Sequence, residues 1–272
     1  MTVSHSFDIE KTRLIAALHL PPFPGSCHPK SQTVDEIIEY ALRNAKTAYD
    51  NGFDALYIQD VFDSPQGTRI LPHTIACMGA IGHAVRTAFP TWTLGFQFIG
   101  HGAKEPIATA HAVGFDFVRI KTWIGTMVRS SGIEEGLAYE AIRYRSEIDA
   151  HEVAILADVY DRSGMPLAPL TLVEAATSAV RFGRADGLVI TGHSFDNSLE
   201  MLEQVRGAKL GVPLYLGGGG TAANINQALR FASGVIISTS LKAHPDRSPG
   251  SLPSDWGADK VKAFVDAVRS GK

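Results

Sequence analysis

Leu214-Tyr215-Leu216-Gly217-Gly218-Gly219-Gly220-Thr221 is a short apolar run that breaks into four consecutive glycines, and Gly234-Val235-Ile236-Ile237-Ser238-Thr239-Ser240-Leu241-Lys242 is a second run that breaks into hydroxyls. Both read as strands covered on two faces. Residues without a side chain let several backbone N–H groups approach one anion together. Ser238, Thr239 and Ser240 can open a short helix whose amides and hydroxyls face the same place. These runs close a longer series. Apolar stretches at 14–18, 55–59, 93–98, 115–121, 153–159 and 187–191 precede 214–217 and 234–239, giving eight strand candidates. Amphipathic segments such as 34–49, 74–88, 137–149, 172–182 and 223–231 separate them, and 258–269 ends the chain. Such alternation demands parallel strands with helical crossovers, and 272 residues suit one (β/α)8 TIM barrel, an α/β fold with a single domain over 1–272. An open, doubly wound sheet is the alternative, disfavoured by the lack of an early GxGxxG turn. The turns Gly52-Phe53-Asp54, Gly114-Phe115-Asp116 and Arg184-Ala185-Asp186 recur as punctuation between helix and strand.

Composition narrows the function classes. Hydrophobic residues make up 45% and charged residues 19%, with a formal net charge of -3, which fits a packed globular domain and gives no basic footprint for nucleic acid. Cys27 and Cys77 lie in no CxxC or other metal or redox spacing. The start, 1–10, lacks the pattern of a secretory leader, and no apolar stretch is long enough to insert in a membrane. A cytoplasmic location is expected.

Barrels of this kind do chemistry at the carboxyl ends of their strands. The first polar residues there are His19, Gln59 and Asp60, His101, Lys121, Asp158, and Thr191 with His193. Gly217, Gly218, Gly219 and Gly220 with Ser238, Thr239 and Ser240 then form a phosphate cradle at the seventh and eighth strand ends, a frequent phosphate position in barrels. Asp158, following Ala154-Ile155-Leu156-Ala157, reads as a general acid or base, because a carboxyl in a partly apolar pocket has its pKa raised. Lys121 is either a fixed cation or an amine activated by burial. His101 and His193 are candidates to polarise an oxygen; His19, Gln59, Asp60 and Thr191 are assigned to substrate binding. The histidines come singly from separate strands, with no HxH or HExxH spacing, so no cofactor or metal site is assigned and a divalent metal is kept as an alternative. Leu20-Pro21-Pro22-Phe23-Pro24-Gly25 is expected to wall the pocket. The stretch 122–132 reads as a lid or oligomer contact with Trp123 and Met127 partly exposed, and 243–256 as a loop that either folds over the phosphate site or stays mobile.

Leu18-His19-Leu20-Pro21-Pro22-Phe23-Pro24-Gly25, Gly125-Thr126-Met127-Val128, Ala157-Asp158-Val159 and Ser238-Thr239-Ser240-Leu241-Lys242 together resemble the BtpA/SgcQ family, in order and spacing over nearly the whole chain. That resemblance implies a ribulose-phosphate-binding type of barrel, a role in photosystem I biogenesis for the member that gives the name, and sugar uptake or metabolism for others. Departures fall at the strand ends: Gln59-Asp60 stands where the family carries Glu-Asn, Gly100-His101 where it carries Arg-Asn, Lys121 where it carries Asn, and Asp161-Arg162 where it carries Lys and His. A divergent subgroup is expected. Its leading reading is an isomerase or lyase acting on a phosphorylated, sugar-phosphate-like small molecule. The rivals are a Schiff-base aldolase using Lys121 and a non-catalytic assembly or stability factor for a protein complex. The expected partners are a phosphate ester and further copies of the chain, as a homo-oligomer.

Overall fold

The computed structural model describes residues 12–244 and 251–271; the expectation on 1–10 and the middle of 243–256 lie outside them. Eight strands pair in parallel and close: β1 (Leu14–His19), β2 (Ala55–Gln59), β3 (Thr93–Gln97), β4 (Phe117–Ile120), β7 (Ala154–Val159), β9 (Gly187–Ile190), β10 (Leu214–Leu216) and β11 (Gly234–Ile237), with β11 returning to β1. This is the expected TIM barrel. Strands β5 (Thr126–Arg129), β6 (Gly132–Glu135) and β8 (Met165–Pro166) form a separate antiparallel sheet in the order β6-β5-β8. The stretch 122–132, expected as a lid or oligomer contact, forms a hairpin, and Trp123 and Met127 are buried rather than partly exposed. The Trp123 indole N–H donates to the carbonyl of Ala179 at 3.3 Å, which pins the hairpin's root to α5 (Leu172–Arg181).

The helices start where side chains take up their free amides. Thr33 and Glu36 form a capping box at α1 (Val34–Asp50), Thr171 and Glu174 do so at α5, and Ser194 caps α6 (Phe195–Gly207). Each box contributes about 1 kcal/mol. The remaining helices are α2 (Pro72–Ala88), α3 (Lys104–Val113), α4 (Ala138–Glu147), α7 (Ile225–Ala228) and α8 (Ala258–Ser270). The segment expected at 223–231 is helical only over the four residues of α7.

The recurring aspartate turns have a common geometry. Asp54, Asp116 and Asp186 precede β2, β4 and β9, and their carboxylates accept the amides of Leu14, Leu94 and Ile155 at 2.8–2.9 Å. Their own amides donate back to the carbonyls of the same three residues. Arg86 and Arg145 complete two of these clasps, at 2.6 and 2.7 Å from Asp116 and Asp186. Each clasp ties one strand's start to its neighbour, so the face opposite the strand ends is locked while the other is left for chemistry.

Inside the barrel, Ile15, Ala17, Ala55, Tyr57, Phe117, Leu156, Val189, Tyr215 and Ile236 pack as one cluster. Alternation in a strand sends every second side chain inward, so the inward positions that follow are His19, Gln59, Arg119 and then Lys121, Asp158, Thr191, Gly217 and Ser238. The barrel core and the mouth are one parity pattern. Small residues make room for large ones: a Cβ on Gly95 would lie 2.6 Å from the Phe117 ring.

Candidate functional site

A cavity of about 740 Å³ opens at the carboxyl ends of the strands, within the size range of small-molecule sites. His19, Gln59, Lys121, Asp158, Thr191, the glycines Gly217 to Gly220 and the hydroxyl residues Ser238 to Ser240 all line it. Three expected residues do not. Asp60 is one position past the inward Gln59, so its side chain turns outside the barrel wall; it is buried, accepts the amide of Ile99 at 2.7 Å and faces a smaller cavity with Asp63 and Cys27. His101 lies beyond the end of β3 and approaches Glu134 at 3.6 Å, and His193 is exposed in the turn capping α6. The proline segment does not wall the mouth either: Leu20 and Phe23 are buried, and Gly25 faces the smaller cavity. Lys242 turns to the Phe62 ring. At the far end of 243–256, Asn44 of α1 holds Asp255 and the Trp256 amide, Ala243 donates its amide to the Asp255 carbonyl, and none of the described residues of the segment lines the cavity.

One wall is a set of free donors. Among the described residues, no acceptor receives the amides of Gly218, Gly219, Gly220, Ser238, Thr239 or Ser240. The buried hydroxyls of Thr191, Ser238 and Ser240 likewise have no protein partner, nor does the Gln97 side-chain oxygen deeper in the mouth. Leaving such groups unpaired costs about 1–3 kcal/mol each, which a suitable ligand can offset. Gly219 has φ +80, a left-handed conformation that glycine adopts without strain, and a Cβ on Gly217 would collide with the Thr191 hydroxyl.

The floor is an ion pair that sequence reading missed. Arg119, an inward residue of β4, donates from Nε to Asp158 Oδ1 at 3.0 Å, from Nη2 to Oδ2 at 3.2 Å and from Nη1 to the Tyr57 hydroxyl at 2.9 Å. Burial pushes the Asp158 carboxyl up to about 6 against the pull of Arg119. Burial also works against the charge on Arg119, but Asp158 and Tyr57 outweigh it and keep the guanidinium ionised. Phe117, Arg119 and Lys121 share one parity, and that alternation was the signal that could have found Arg119.

Beside the floor stands Lys121. Burial lowers its pKa, and among the described residues its ammonium makes no hydrogen bond or close ion pair. Behind it, Glu134 of β6 accepts from Thr122 at 2.9 Å and from Arg129 of β5 at 2.7 Å, and Arg129 reaches on to Asp161 at 2.8 Å. Asp161, Arg162 and Ser163 form the cavity's remaining edge. Among the described residues no group of three or more His, Cys, Asp or Glu side chains is arranged to hold a metal ion.

The sequence profile described as the BtpA family matches residues 10–270. The chain belongs to the BtpA family. The Photosystem I biogenesis protein BtpA of Synechocystis is 31% identical over 261 residues, which is 95% of this chain and 88% of the relative. A protein of Archaeoglobus fulgidus is also 31% identical, over 96% of this chain and the whole of the relative. Among solved structures, this BtpA-family chain superposes on a native KDPGal structure with a TM-score of 0.59 and 18% identity, covering 96% of both chains. It also superposes on phosphoribosyl anthranilate isomerase from Thermus thermophilus, with a TM-score of 0.54 and 13% identity, covering 96% of this chain and all of the other. At these identities the likeness is one of fold. No helix among the described residues of this BtpA-family barrel is long and apolar enough to cross a membrane.

Proposed function

We propose that the barrel mouth binds a phosphorylated small molecule of the sugar-phosphate kind and isomerises or cleaves it by proton transfer next to a carbonyl. The observation that carries this reading is the group of six free amides, with the unpartnered hydroxyls of Thr191, Ser238 and Ser240, at two adjacent strand ends. Donors fixed in this way suit a tetrahedral anion and need no reorganisation to bind it. Asp158, titrating near 6 and held in one orientation by Arg119, is the group to carry the proton, and Lys121 the cation to stabilise negative charge developing on a substrate oxygen.

The test is a thermal-shift screen of the purified chain against inorganic phosphate and a panel of sugar phosphates, repeated on Gly219→Asp, which places a carboxylate among the free amides. Selected esters should raise the Tm of the parent and leave the variant unmoved. A folded parent that responds to no phosphate compound would sink the cradle. With a substrate class in hand, Asp158→Asn should lower kcat far more than it raises KM.

A second reading draws on the unpartnered amine of Lys121, whose depressed pKa leaves a larger neutral fraction to attack a carbonyl. Borohydride reduction with the carbonyl ester should then attach the substrate's carbon skeleton to Lys121, seen as a mass increase on its peptide. An unmodified peptide under turnover leaves simple proton transfer. The relative named for photosystem I biogenesis suggests a non-catalytic alternative, in which changes at Asp158 and Lys121 are tolerated and changes on the surface are not.

A further inference from the structure

The wall of the mouth that faces the phosphate cradle carries a second set of unsatisfied groups. Gln59 ends β2 and Gln97 ends β3, and the two are register partners in the parallel ladder. Both lie on the inward alternation, Gln59 after Tyr57 and Gln97 after Gly95, where the Phe117 ring fills the place of a side chain. Their side chains therefore leave neighbouring strands on the same face, from backbones about 4.8 Å apart. Both are buried and line the main cavity, and among the described residues neither carboxamide makes a hydrogen bond. The Gln97 oxygen is closed off from solvent with no partner. Around the closed barrel β3 is four strands from β10 in either direction, so Gln97 lies across the mouth from Gly217 to Gly220. In the same way β2 stands opposite β9, and Gln59 opposite Thr191.

A buried polar group without a partner is destabilising, and an apolar residue at either position would pack without that cost. Two such groups side by side in a cavity point to a ligand. A carboxamide donates through its nitrogen and accepts through its oxygen, and the broad terminal torsion of glutamine lets either atom turn to the mouth. A hydroxyl also does both, so hydroxyls can satisfy the pair completely. A phosphate or carboxylate only accepts and an ammonium only donates, so each would leave half of the pair unmet. The rest of the lining from β1 to β3 and the turns after them is Ala17, His19, Tyr57, Val61 and Ile99, with no lysine, arginine or carboxylate. On the basis of the phosphate cradle proposed above, we infer that Gln59 and Gln97 select the substrate by binding hydroxyls at its end remote from the phosphate. That end is a neutral, polyhydroxylated chain and not a second anionic group. A chain stretched from the glycines to the glutamines crosses the floor where Arg119 holds Asp158, so the same contacts fix which carbon meets the carboxylate.

The test is calorimetric titration of the purified chain with inorganic phosphate, a panel of pentose and hexose monophosphates, a sugar bisphosphate and an alkyl phosphate of matching carbon count. The tightest monophosphate should bind about 100-fold more tightly than the alkyl phosphate, roughly tenfold for each glutamine, and more tightly than the bisphosphate. Gln59→Met and Gln97→Met should each remove about tenfold of that margin while leaving the Kd for inorganic phosphate within about twofold of the parent. Methionine fills similar space without a strong polar group, so the unliganded Tm of each variant should equal or exceed that of the parent; a glutamine kept for the fold would lose stability instead. A parent that binds inorganic phosphate, yet takes the alkyl phosphate or the bisphosphate as tightly as every sugar monophosphate, overturns the role of the glutamines and leaves the cradle standing. So do variants that keep the full margin. A parent that binds no phosphate compound removes the cradle and the glutamine contacts together.

Discussion

Gln59 and Asp60 are neighbours in sequence on opposite sides of the barrel wall, and the difference shows in their chemistry. Gln59 faces the mouth, while Asp60 is sealed behind it, where burial lifts its carboxyl from an ordinary value of 3.8 to about 7. A carboxyl whose pKa is raised by folding holds its proton more tightly in the native state, so its contribution is fully present below the unfolded pKa and is lost as pH rises through the folded one. Stability should fall between about pH 4 and pH 8. In Asp60→Asn that fall should shrink by on the order of 4 kcal/mol, read from urea midpoints at each pH. Parallel curves for parent and variant would show that the carboxylate is already ionised in the fold. Asp158, raised to about 6, slopes the same way in both proteins and so cancels from the comparison. At this scale the sequence was legible wherever parity held. His19, Lys121, Asp158 and Thr191 sit on the inward alternation and reach the cavity, whereas His101 and His193 come after their strands have ended and their backbones have turned away.

Among elements, the aspartate clasps are the best test of what holds the strands in register without touching the mouth. Asp116 accepts from the Leu94 amide and from Arg86, and is buried. Asp116→Ala strands both donors, and the loss of one partner of a buried pair costs about 3–5 kcal/mol. Urea unfolding should show that loss while phosphate-ester affinity in the folded variant stays within about twofold of the parent. A large loss of affinity would mean that the two ends of the barrel are coupled. The turns that carry these residues were visible as a recurrence of Asp before a strand, but their partners were not, since each bond spans 22 to 40 positions. The exposure expected for Trp123 and Met127 fails for a related reason. Thr122 to Gly132 mixes glycine with apolar residues, and β8, which pairs with β5, comes over 30 residues later.

For the molecule as a whole, ligand binding and stability are linked. At a concentration 100 times its Kd, a ligand bound only by the folded state adds ~2.7 kcal/mol. For a chain of this length that corresponds to a rise in Tm of roughly 5–10 °C, which Gly219→Asp should remove. The sequence by itself determined the eightfold alternation, the parallel closed barrel and the glycine and hydroxyl wall, because apolar period, helix caps and the absence of side chains are local properties written in consecutive residues. Tertiary structure alone decided which strand-end groups share the cavity, that Arg119 grips Asp158 from 39 positions away, and that Asp60 is excluded. Those outcomes depend on where each strand stops and which neighbour it pairs with, and closing the barrel fixes both at once.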